Sequence, residues 1–236
     1  MQPDREYQKK TKNWYRRWWA IILWLVIFFG GVLVSAFGFY VWDLSQKINN
    51  GEFPANGVKL EETKKYNAEG INNYWIGATE PKITIVEFAD FNCAHCKNSF
   101  SIIRELTAKY PNQIKLIFRD YPAIAATSQD LAMSARCAGE QGKFWQMHDK
   151  LFLNQGKLDP TSKTVIATLA QSAGVDLDKF LTCMDEQKYL NNIKKDVADA
   201  ESYGVTGTPT WFINGYKISG EIPRATFLQI VNEFLN

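Results

Sequence analysis

The chain has 236 residues, of which 46% are hydrophobic and 22% are charged, a composition that excludes a disordered protein. This length accommodates one sizeable domain with its own core and one additional segment. The formal net charge is only +2, and the chain beyond residue 42 has 21 basic and 23 acidic side chains. No nucleic-acid partner is therefore expected for the main domain.

The first element is an apolar segment, residues 18–42, that contains no charged side chain. Its 25 residues exceed the ~20 that a helix needs to cross a bilayer. Tryptophan and tyrosine residues lie near both ends, six basic residues precede the segment, and Asp43 follows it. The positive-inside rule therefore predicts a cytoplasmic tail at 1–17, a transmembrane signal-anchor helix, and a single-pass protein of the cell membrane with an extracytoplasmic main domain.

A cleaved signal peptide is the alternative interpretation, with Val34-Ser35-Ala36 as a small-residue cleavage site. The apolar region of a signal peptide usually has only ~7–15 residues, which favours the uncleaved anchor. Both interpretations export the domain that follows. Residues 43–70 are predicted to form a linker, because they combine Asn, Gly, Lys and Glu with Pro54 and show no sustained periodicity.

The main domain is predicted at 71–236, and its first half has the order strand, helix, strand. Residues 83–89 form a nearly continuous apolar run, which is typical of a strand buried on both faces. Residues 96–110 have apolar side chains at helical spacing, and residues 114–118 form a second strand-like run. This order predicts a βαβ unit.

The second half begins with a predicted helical block at about 123–200, which is rich in alanine and amphipathic patterns. Two apolar runs joined by Asn214-Gly215 then predict a β-hairpin. An amphipathic helix is predicted from about Arg224 to Phe234. The sequence therefore predicts an α/β fold with the order βαβ, helical block, ββα, preceded by one transmembrane helix.

Cys93 and Cys96 form a CxxC motif that contains His95 and stands between the first predicted strand and the first predicted helix. A structural zinc site needs four ligands. The other two cysteines are distant in the sequence, and the only other histidine is His148. We therefore expect thiol redox chemistry and no bound metal.

The position at a helix start explains how this pair would react. Cys93 would lie beside unpaired backbone N–H groups and the positive end of the helix dipole, and His95 would add a hydrogen bond or a charge. Such surroundings lower a cysteine pKa from ~8.5 to ~3.5–7.5. A low pKa makes Cys93 a good leaving group and its disulfide oxidising. Cys96, one turn further, is expected to be the resolving thiol.

Two motifs together resemble a known family. Cys93-Ala94-His95-Cys96 follows Glu87-Phe88, and Gly207-Thr208-Pro209-Thr210 precedes the last hairpin. This combination resembles the DsbA-type thiol–disulfide oxidoreductases of the thioredoxin superfamily, in their membrane-anchored, extracytoplasmic, BdbD-like branch. The resemblance covers roughly Trp75 to the C-terminus. It implies a thioredoxin-like fold with an inserted helical block.

The resemblance also implies roles for individual residues. Cys93 would be the catalytic thiol, Cys96 the resolving thiol, and the Thr208–Pro209 peptide bond would be cis and bind a substrate segment. Glu87 would be a buried carboxylate that shuttles the proton of Cys96. The alternative for Glu87 is a solvated glutamate on an edge strand.

Four neighbouring side chains and two distant cysteines complete the candidate set. Asp90 and Lys97 are expected to be solvated charges, whereas Phe91 and Trp211 would either line a substrate groove or pack in the core. Spare cysteines in an oxidising compartment usually pair. A structural disulfide between Cys137 and Cys183 is therefore expected, with two separate buried thiols as the alternative.

The expected activity is the introduction of disulfides into exported proteins by thiol–disulfide exchange at the Cys93–Cys96 pair. No cofactor is expected, because the cysteine pair is itself the redox centre. By resemblance, the reduced enzyme would pass its electrons to a membrane partner of the DsbB or vitamin K epoxide reductase (VKOR) type. A disulfide reductase or isomerase of the same fold is one alternative. A membrane-tethered chaperone with a non-catalytic CxxC is another.

Overall fold

The computed structural model describes residues 5–49, 64–157 and 162–235. The chain divides into two units, residues 1–56 and residues 57–236. The described residues of the first unit form one helix, α1 (Arg5–Asn49). Its segment Trp18–Asp43 is long and apolar enough to cross a membrane, and its apolar side chains are exposed.

The structure differs from the predicted linker at both of its ends. Helix α1 continues to Asn49, and no glycine or proline lies between Asp43 and Gly51. At the other end, residues 64–70 belong to the folded unit: Tyr66 N donates to Gly215 O at 2.9 Å, and Ala68 is only 2% exposed. The remaining linker residues, 50–63, lie outside the described residues.

The second unit is built on a five-stranded sheet with the order β1-β3-β2-β4-β5. Strands β2 and β3 are parallel and the other neighbouring pairs are antiparallel. The five strands are β1 (Tyr74–Gly77), β2 (Ile83–Ala89), β3 (Ile114–Asp120), β4 (Thr210–Ile213) and β5 (Tyr216–Ser219). The parallel pairing of β2 with β3 is that of the predicted βαβ unit.

Strand β1 was not predicted, because it has only four residues and lies half-exposed at the sheet edge. Its last residue, Gly77, has a φ of 105°, which favours glycine. A Cβ atom there would lie 2.1 Å from the carbonyl oxygen of Ile114. Glycine is therefore required where the edge strand approaches the start of β3.

Seven helices accompany the sheet in the described part of this unit. They are α2 (Ala94–Lys109), α3 (Ser128–Gly139), α4 (Phe144–Asn154), α5 (Lys163–Ser172), α6 (Leu177–Asp185), α7 (Leu190–Ser202) and α8 (Arg224–Leu235). Helices α3–α7 form the expected helical block, named the helical insertion from here on. The predicted order of βαβ, helical block and ββα is confirmed.

Apolar side chains cover both faces of the sheet: Val86, Phe88 and Phe212 pack on one face, and two larger clusters lie on the other. One cluster joins the sheet to α2 and α8, and includes Ile83, Ile85, Ile103, Trp211 and Phe227. A second cluster extends from the sheet into the helical insertion, and includes Phe91, Phe118, Phe144, Phe152 and both Cys93 and Cys96. Burying each large apolar side chain contributes about 1.5–3 kcal/mol. The cysteine pair therefore lies where the sheet meets the helical insertion.

Two buried arginines attach this insertion to β3. Arg119 of β3 and Arg136 of α3 both bind Asp196 of α7, at 2.6 and 2.5 Å. Arg136 also pairs with Asp120, the last residue of β3. Removing one member would leave a buried charge without its partner, which typically costs about 3–5 kcal/mol. The network therefore holds α3 and α7 against the end of β3.

A disulfide between Cys137 and Cys183 joins α3 to α6, with a Cα–Cα distance of 5.8 Å. Both residues are buried. The bond lies within the helical insertion. This position agrees with the structural role expected of this pair.

Replacing both Cys137 and Cys183 with alanine is expected to lower the free energy of unfolding by about 4 kcal/mol. The disulfide joins residues that are 46 positions apart, and it therefore restricts a long loop of the unfolded chain. Denaturant unfolding of the full-length variant and the wild-type protein in detergent measures this difference. A loss below about 1 kcal/mol would contradict the structural role.

Candidate active site

Cys93 is the N-cap residue of α2, with φ −78° and ψ 120°, the extended conformation that N-caps adopt. Its amide donates to Asp90 O at 3.0 Å, and its carbonyl accepts from Lys97 N at 3.1 Å. The side chain of an N-cap residue faces the free N–H groups of the first turn. The fold thus places the Cys93 sulfur where a thiolate is stabilised.

The pKa of Cys93 is lowered to about 5. The largest cause is a hydrogen bond from the Cys96 thiol, and smaller ones are the Thr208 side chain and the backbone N–H groups of Cys96 and His95. Burial acts in the opposite direction. Cys93 is therefore mostly a thiolate at neutral pH when the pair is reduced.

Cys96 has the opposite character. Its side chain is 0% exposed, and both cysteines are free thiols in the structure. Burial, followed by the hydrogen bond to Cys93 and the charge of Glu87, raises its pKa. Environments that push the pKa values of two neighbouring groups apart assign them different chemical roles. Cys93 is suited to attack and to leave, and Cys96 to hold a proton.

Glu87 lies on the central strand β2, opposite Phe118 of β3 and Trp211 of β4. Its side chain is 1% exposed, so the alternative of a solvated edge-strand glutamate is wrong. Burial and, to a smaller extent, the negative charge of Cys93 raise its pKa to about 8. At that pKa the carboxyl group can give and take a proton near neutral pH.

The segment before β4 closes the other side of Cys93. The Thr208–Pro209 peptide bond is cis. Cys93 Sγ lies 3.2 Å from the Thr208 carbonyl oxygen, to which it donates only when it is protonated, and Pro209 O accepts from Gly220 N at 2.8 Å. The structure therefore brings the Thr208–Pro209 segment to Cys93, although the two are 115 residues apart in the sequence.

His95 lies at the solvent side of the pair, with 68% of its side chain exposed. Its Nδ1 is 2.7 Å from Glu221 Oε2, which also accepts from Asn98 Nδ2 at 3.2 Å. The hydrogen bond with Glu221 is the main cause of a raised His95 pKa. Glu221 follows β5 and has no local motif, so sequence reasoning missed it.

Replacing Glu221 with glutamine is expected to lower the pKa of His95, because the carboxylate that favours the imidazolium is lost. A histidine NMR titration measures this change. His148 is the only other histidine and is buried, so it serves as an internal reference. An unchanged His95 titration would show that the ion pair is absent in solution.

Asp90 was expected to be solvated, and this prediction is wrong. It is 1% exposed, and its carboxylate accepts from the backbone amides of Asn92, Ala123 and Ile124, each at 2.8 Å. Three N–H donors satisfy the buried charge, which explains why burial is tolerated. Asp90 thus joins the cysteine loop to the segment that leads into α3.

The remaining predicted neighbours have structural positions. Phe91 and Trp211 are 2% and 0% exposed, so both pack in the core. Phe91 also lines a small pocket together with Leu131 and Gln155. Lys97 is half-buried rather than fully solvated, and its Nζ donates to Gln155 O at 2.8 Å. Among the described residues, no group of three or more His, Cys, Asp or Glu side chains is arranged to hold a metal ion.

The comparisons with known proteins agree with this geometry. The Thioredoxin_4 family model, described as thioredoxin, matches residues 69–233. The chain is 35% identical over 146 residues to the Na⁺/H⁺ antiporter NhaA 1 of Salinispora arenicola, a match that covers 61% of this chain and 22% of that protein. The chain therefore spans about a fifth of the length of such curated relatives.

Solved structures resemble the folded unit over nearly their whole length. A thioredoxin-like oxidoreductase from Silicibacter pomeroyi has 25% identity and a TM-score of 0.62, covering 70% of this chain and 94% of that one. A periplasmic thioredoxin-like protein from Salmonella enterica serovar Typhimurium has 28% identity and a TM-score of 0.60, covering 71% and 94%. Oxidised BdbD from Bacillus subtilis has 20% identity and a TM-score of 0.63, covering 69% and 92%.

The likeness to BdbD is one of fold, whereas the two other structures add sequence identity of at least 25%. The family model covers more than half of the chain. The CxxC pair and the cis-proline segment lie within the matched residues. This chain therefore belongs to the thioredoxin family, and its folded unit has a thioredoxin-like fold with a helical insertion.

Proposed function

We propose that this chain is an extracytoplasmic, membrane-anchored oxidase that introduces disulfides into exported proteins. The observation that carries the proposal is the opposite shift of two neighbouring thiols: the pKa of Cys93 is lowered to about 5, whereas that of the buried Cys96 is raised. A stabilised Cys93 thiolate favours the reduced pair. The oxidised pair is therefore a strong acceptor of electrons from substrate thiols.

The first step of the proposed cycle is an exchange at Cys93. A substrate thiolate attacks Sγ of Cys93, a substrate–Cys93 disulfide forms, and the Cys93–Cys96 bond breaks. Cys96 leaves with the electron pair of that bond. Glu87, which is protonated below its pKa of about 8, supplies the proton that converts the leaving Cys96 into a thiol.

The second step releases the product. A second thiolate of the substrate attacks the substrate sulfur that is bound to Cys93. The substrate disulfide forms, and Cys93 leaves as the thiolate that the first turn of α2 stabilises. Two electrons have then passed from the substrate to the cysteine pair, and no cofactor takes part. Glu87 regains a proton from solvent.

The reduced pair must be reoxidised before a further cycle. We propose a membrane thiol oxidase of the DsbB or VKOR type as the partner, on the basis of the DsbA-like fold. The Thr208 carbonyl, 3.2 Å from Cys93 Sγ, lies where the backbone of a bound substrate or partner segment would pass. Substrate and partner would therefore use the same surface.

The location is supported by three observations. The apolar segment Trp18–Asp43 is long enough to span a bilayer, and six basic residues precede it. The Cys137–Cys183 disulfide is typical of an oxidising compartment. The similar protein from Salmonella enterica is described as periplasmic. The folded unit is thus proposed to lie outside the cytoplasm.

A single-turnover assay tests the proposed direction of exchange. The oxidised full-length protein in detergent is mixed with an equimolar reduced peptide that contains two cysteines. We expect nearly complete transfer of the disulfide to the peptide at neutral pH. If the equilibrium instead favours oxidised protein and reduced peptide, the oxidase proposal is wrong and the reductase alternative is supported.

A further inference from the structure

Gln155, immediately after α4, reaches from the helical insertion to the cysteine loop. Its side-chain Nε2 donates to Phe91 O at 2.7 Å and to Cys93 O at 3.0 Å. The backbone carbonyl of Gln155 accepts from Lys97 Nζ at 2.8 Å. The sequence gives no signal for this contact, because Gln155 and Cys93 are 62 residues apart.

The bond to Cys93 O acts on the N-cap residue itself. That carbonyl also accepts from Lys97 N at 3.1 Å, and the Cys93 amide donates to Asp90 O at 3.0 Å. Both ends of the Cys93 backbone are therefore fixed, which holds its φ and ψ in the N-cap conformation. Only in this conformation does the side chain face the first-turn N–H groups that stabilise a thiolate.

The bonds of Gln155 also have an electrostatic consequence. The carbonyl oxygens of Phe91 and Cys93 both belong to the cysteine loop and carry partial negative charge. The amide of Gln155 has two N–H hydrogens, and its two bonds direct one to each of these oxygens. The partial positive charge of the amide hydrogens offsets the negative charge of these two carbonyl oxygens.

We propose that Gln155 is a positioning residue that stabilises the Cys93 thiolate through the backbone of the cysteine loop. The helical insertion thereby controls the redox strength of the cysteine pair. This inference rests on one part of the proposed function, namely that reduced Cys93 reacts as a thiolate. It does not depend on the direction in which electrons usually move.

Two variants and one control test this role in the full-length protein. Gln155→Met keeps the length of the side chain but removes both donors. Gln155→Glu keeps the shape and replaces the donor with a carboxylate oxygen. The control is Asn154→Ala, since Asn154 is also half-buried but its side chain donates to Lys150 O within α4.

The readouts are the pKa of Cys93, from the ultraviolet absorbance of the thiolate, and the reduction potential against glutathione. For Gln155→Met we expect the Cys93 pKa to rise by about one unit, a tenfold loss of thiolate stabilisation. The potential should fall by about 30 mV, the equivalent of a tenfold change for a two-electron couple. Gln155→Glu should shift the pKa and the potential further in the same directions. Asn154→Ala should change neither quantity.

The outcomes separate this inference from the proposed function. Thermal unfolding shows whether each variant is folded, and Gln155→Glu replaces Gln155→Met if the latter is not. Folded variants with the wild-type pKa and potential would overturn the positioning role and leave the oxidase proposal standing. An ordinary Cys93 pKa in the wild-type protein would contradict both. Equal shifts in Asn154→Ala would show a general effect of α4 and overturn the assignment to Gln155.

Discussion

Replacement of Cys93 by serine is expected to reduce disulfide transfer to the uncatalysed rate. The reacting group is the thiolate, and a serine hydroxyl at the same N-cap position neither forms a disulfide nor ionises near neutral pH. Cys96 remains, but it is buried and its raised pKa keeps it protonated. It therefore does not replace Cys93 as the exchanging thiol.

Cys96→Ser should behave differently. Cys93 still exchanges with a disulfide-bonded probe, but no resolving thiol releases the product, so a mixed disulfide at Cys93 accumulates. Mass spectrometry of the variant after reaction with an oxidised peptide measures this species. Glu80→Gln, an exposed change outside the site, is the control for handling and folding.

These two variants separate the enzyme from the chaperone alternative. A binding protein with a non-catalytic CxxC would keep its effect on unfolded chains after Cys93→Ser. Retention of full activity in that variant, or a mixed disulfide that forms on Cys96 alone, would contradict the assigned roles. Loss of activity with an intact fold is the expected result.

Replacement of Glu87 by glutamine is expected to raise the free energy of unfolding of the reduced protein, by an amount that increases with pH. The folded protein holds the Glu87 proton up to a pKa of about 8, whereas an unfolded chain loses it near ~4.3. Between these values the folded state binds more protons than the unfolded state. The stability contributed by Glu87 therefore falls as the pH rises through this window.

The size of this effect follows from the same shift. The slope is at most about 1.4 kcal/mol per pH unit, so the full difference between the two pKa values is about 5 kcal/mol. Denaturant unfolding of the reduced variant and reduced wild-type protein at several pH values measures it. Both proteins are compared in the reduced state, because the negative charge of Cys93 is one cause of the raised Glu87 pKa.

Glu80→Gln is again the matched control, because Glu80 is exposed whereas Glu87 is buried. We expect Glu87→Gln to gain stability steadily from about pH 4.5 to pH 8 relative to the wild-type protein. A difference that stays constant over this range would mean that Glu87 titrates normally. The carboxyl group would then be unable to supply a proton to Cys96 near neutral pH.

The sequence was informative where a function depends on neighbouring residues. The CxxC motif at a strand–helix junction indicated redox chemistry. Apolar periodicity predicted strands β2 and β3 and helices α2 and α8 to within a few residues, and the helical insertion as one block. The Asn214-Gly215 turn located the hairpin formed by β4 and β5. These signals are local, so one sequence is sufficient to recognise them.

The missed features depend on contacts between distant residues. Asp90 was expected to be solvated because its charge carries no information about the amides of Ala123 and Ile124, which bury it. Glu221 and Gln155 meet the CxxC segment only in the folded protein. Strand β1 is too short and too exposed to give a periodic pattern. Tertiary contacts, not local propensity, decide all of these.

The reduction potential of the Cys93–Cys96 pair tests the central claim most directly. Equilibration of the full-length protein in detergent with glutathione buffers gives this value. Stabilisation of the Cys93 thiolate predicts a strongly oxidising pair, with a potential near the about −120 mV of DsbA. A potential near the about −270 mV of thioredoxin would contradict the oxidase function and identify the pair as a reductant.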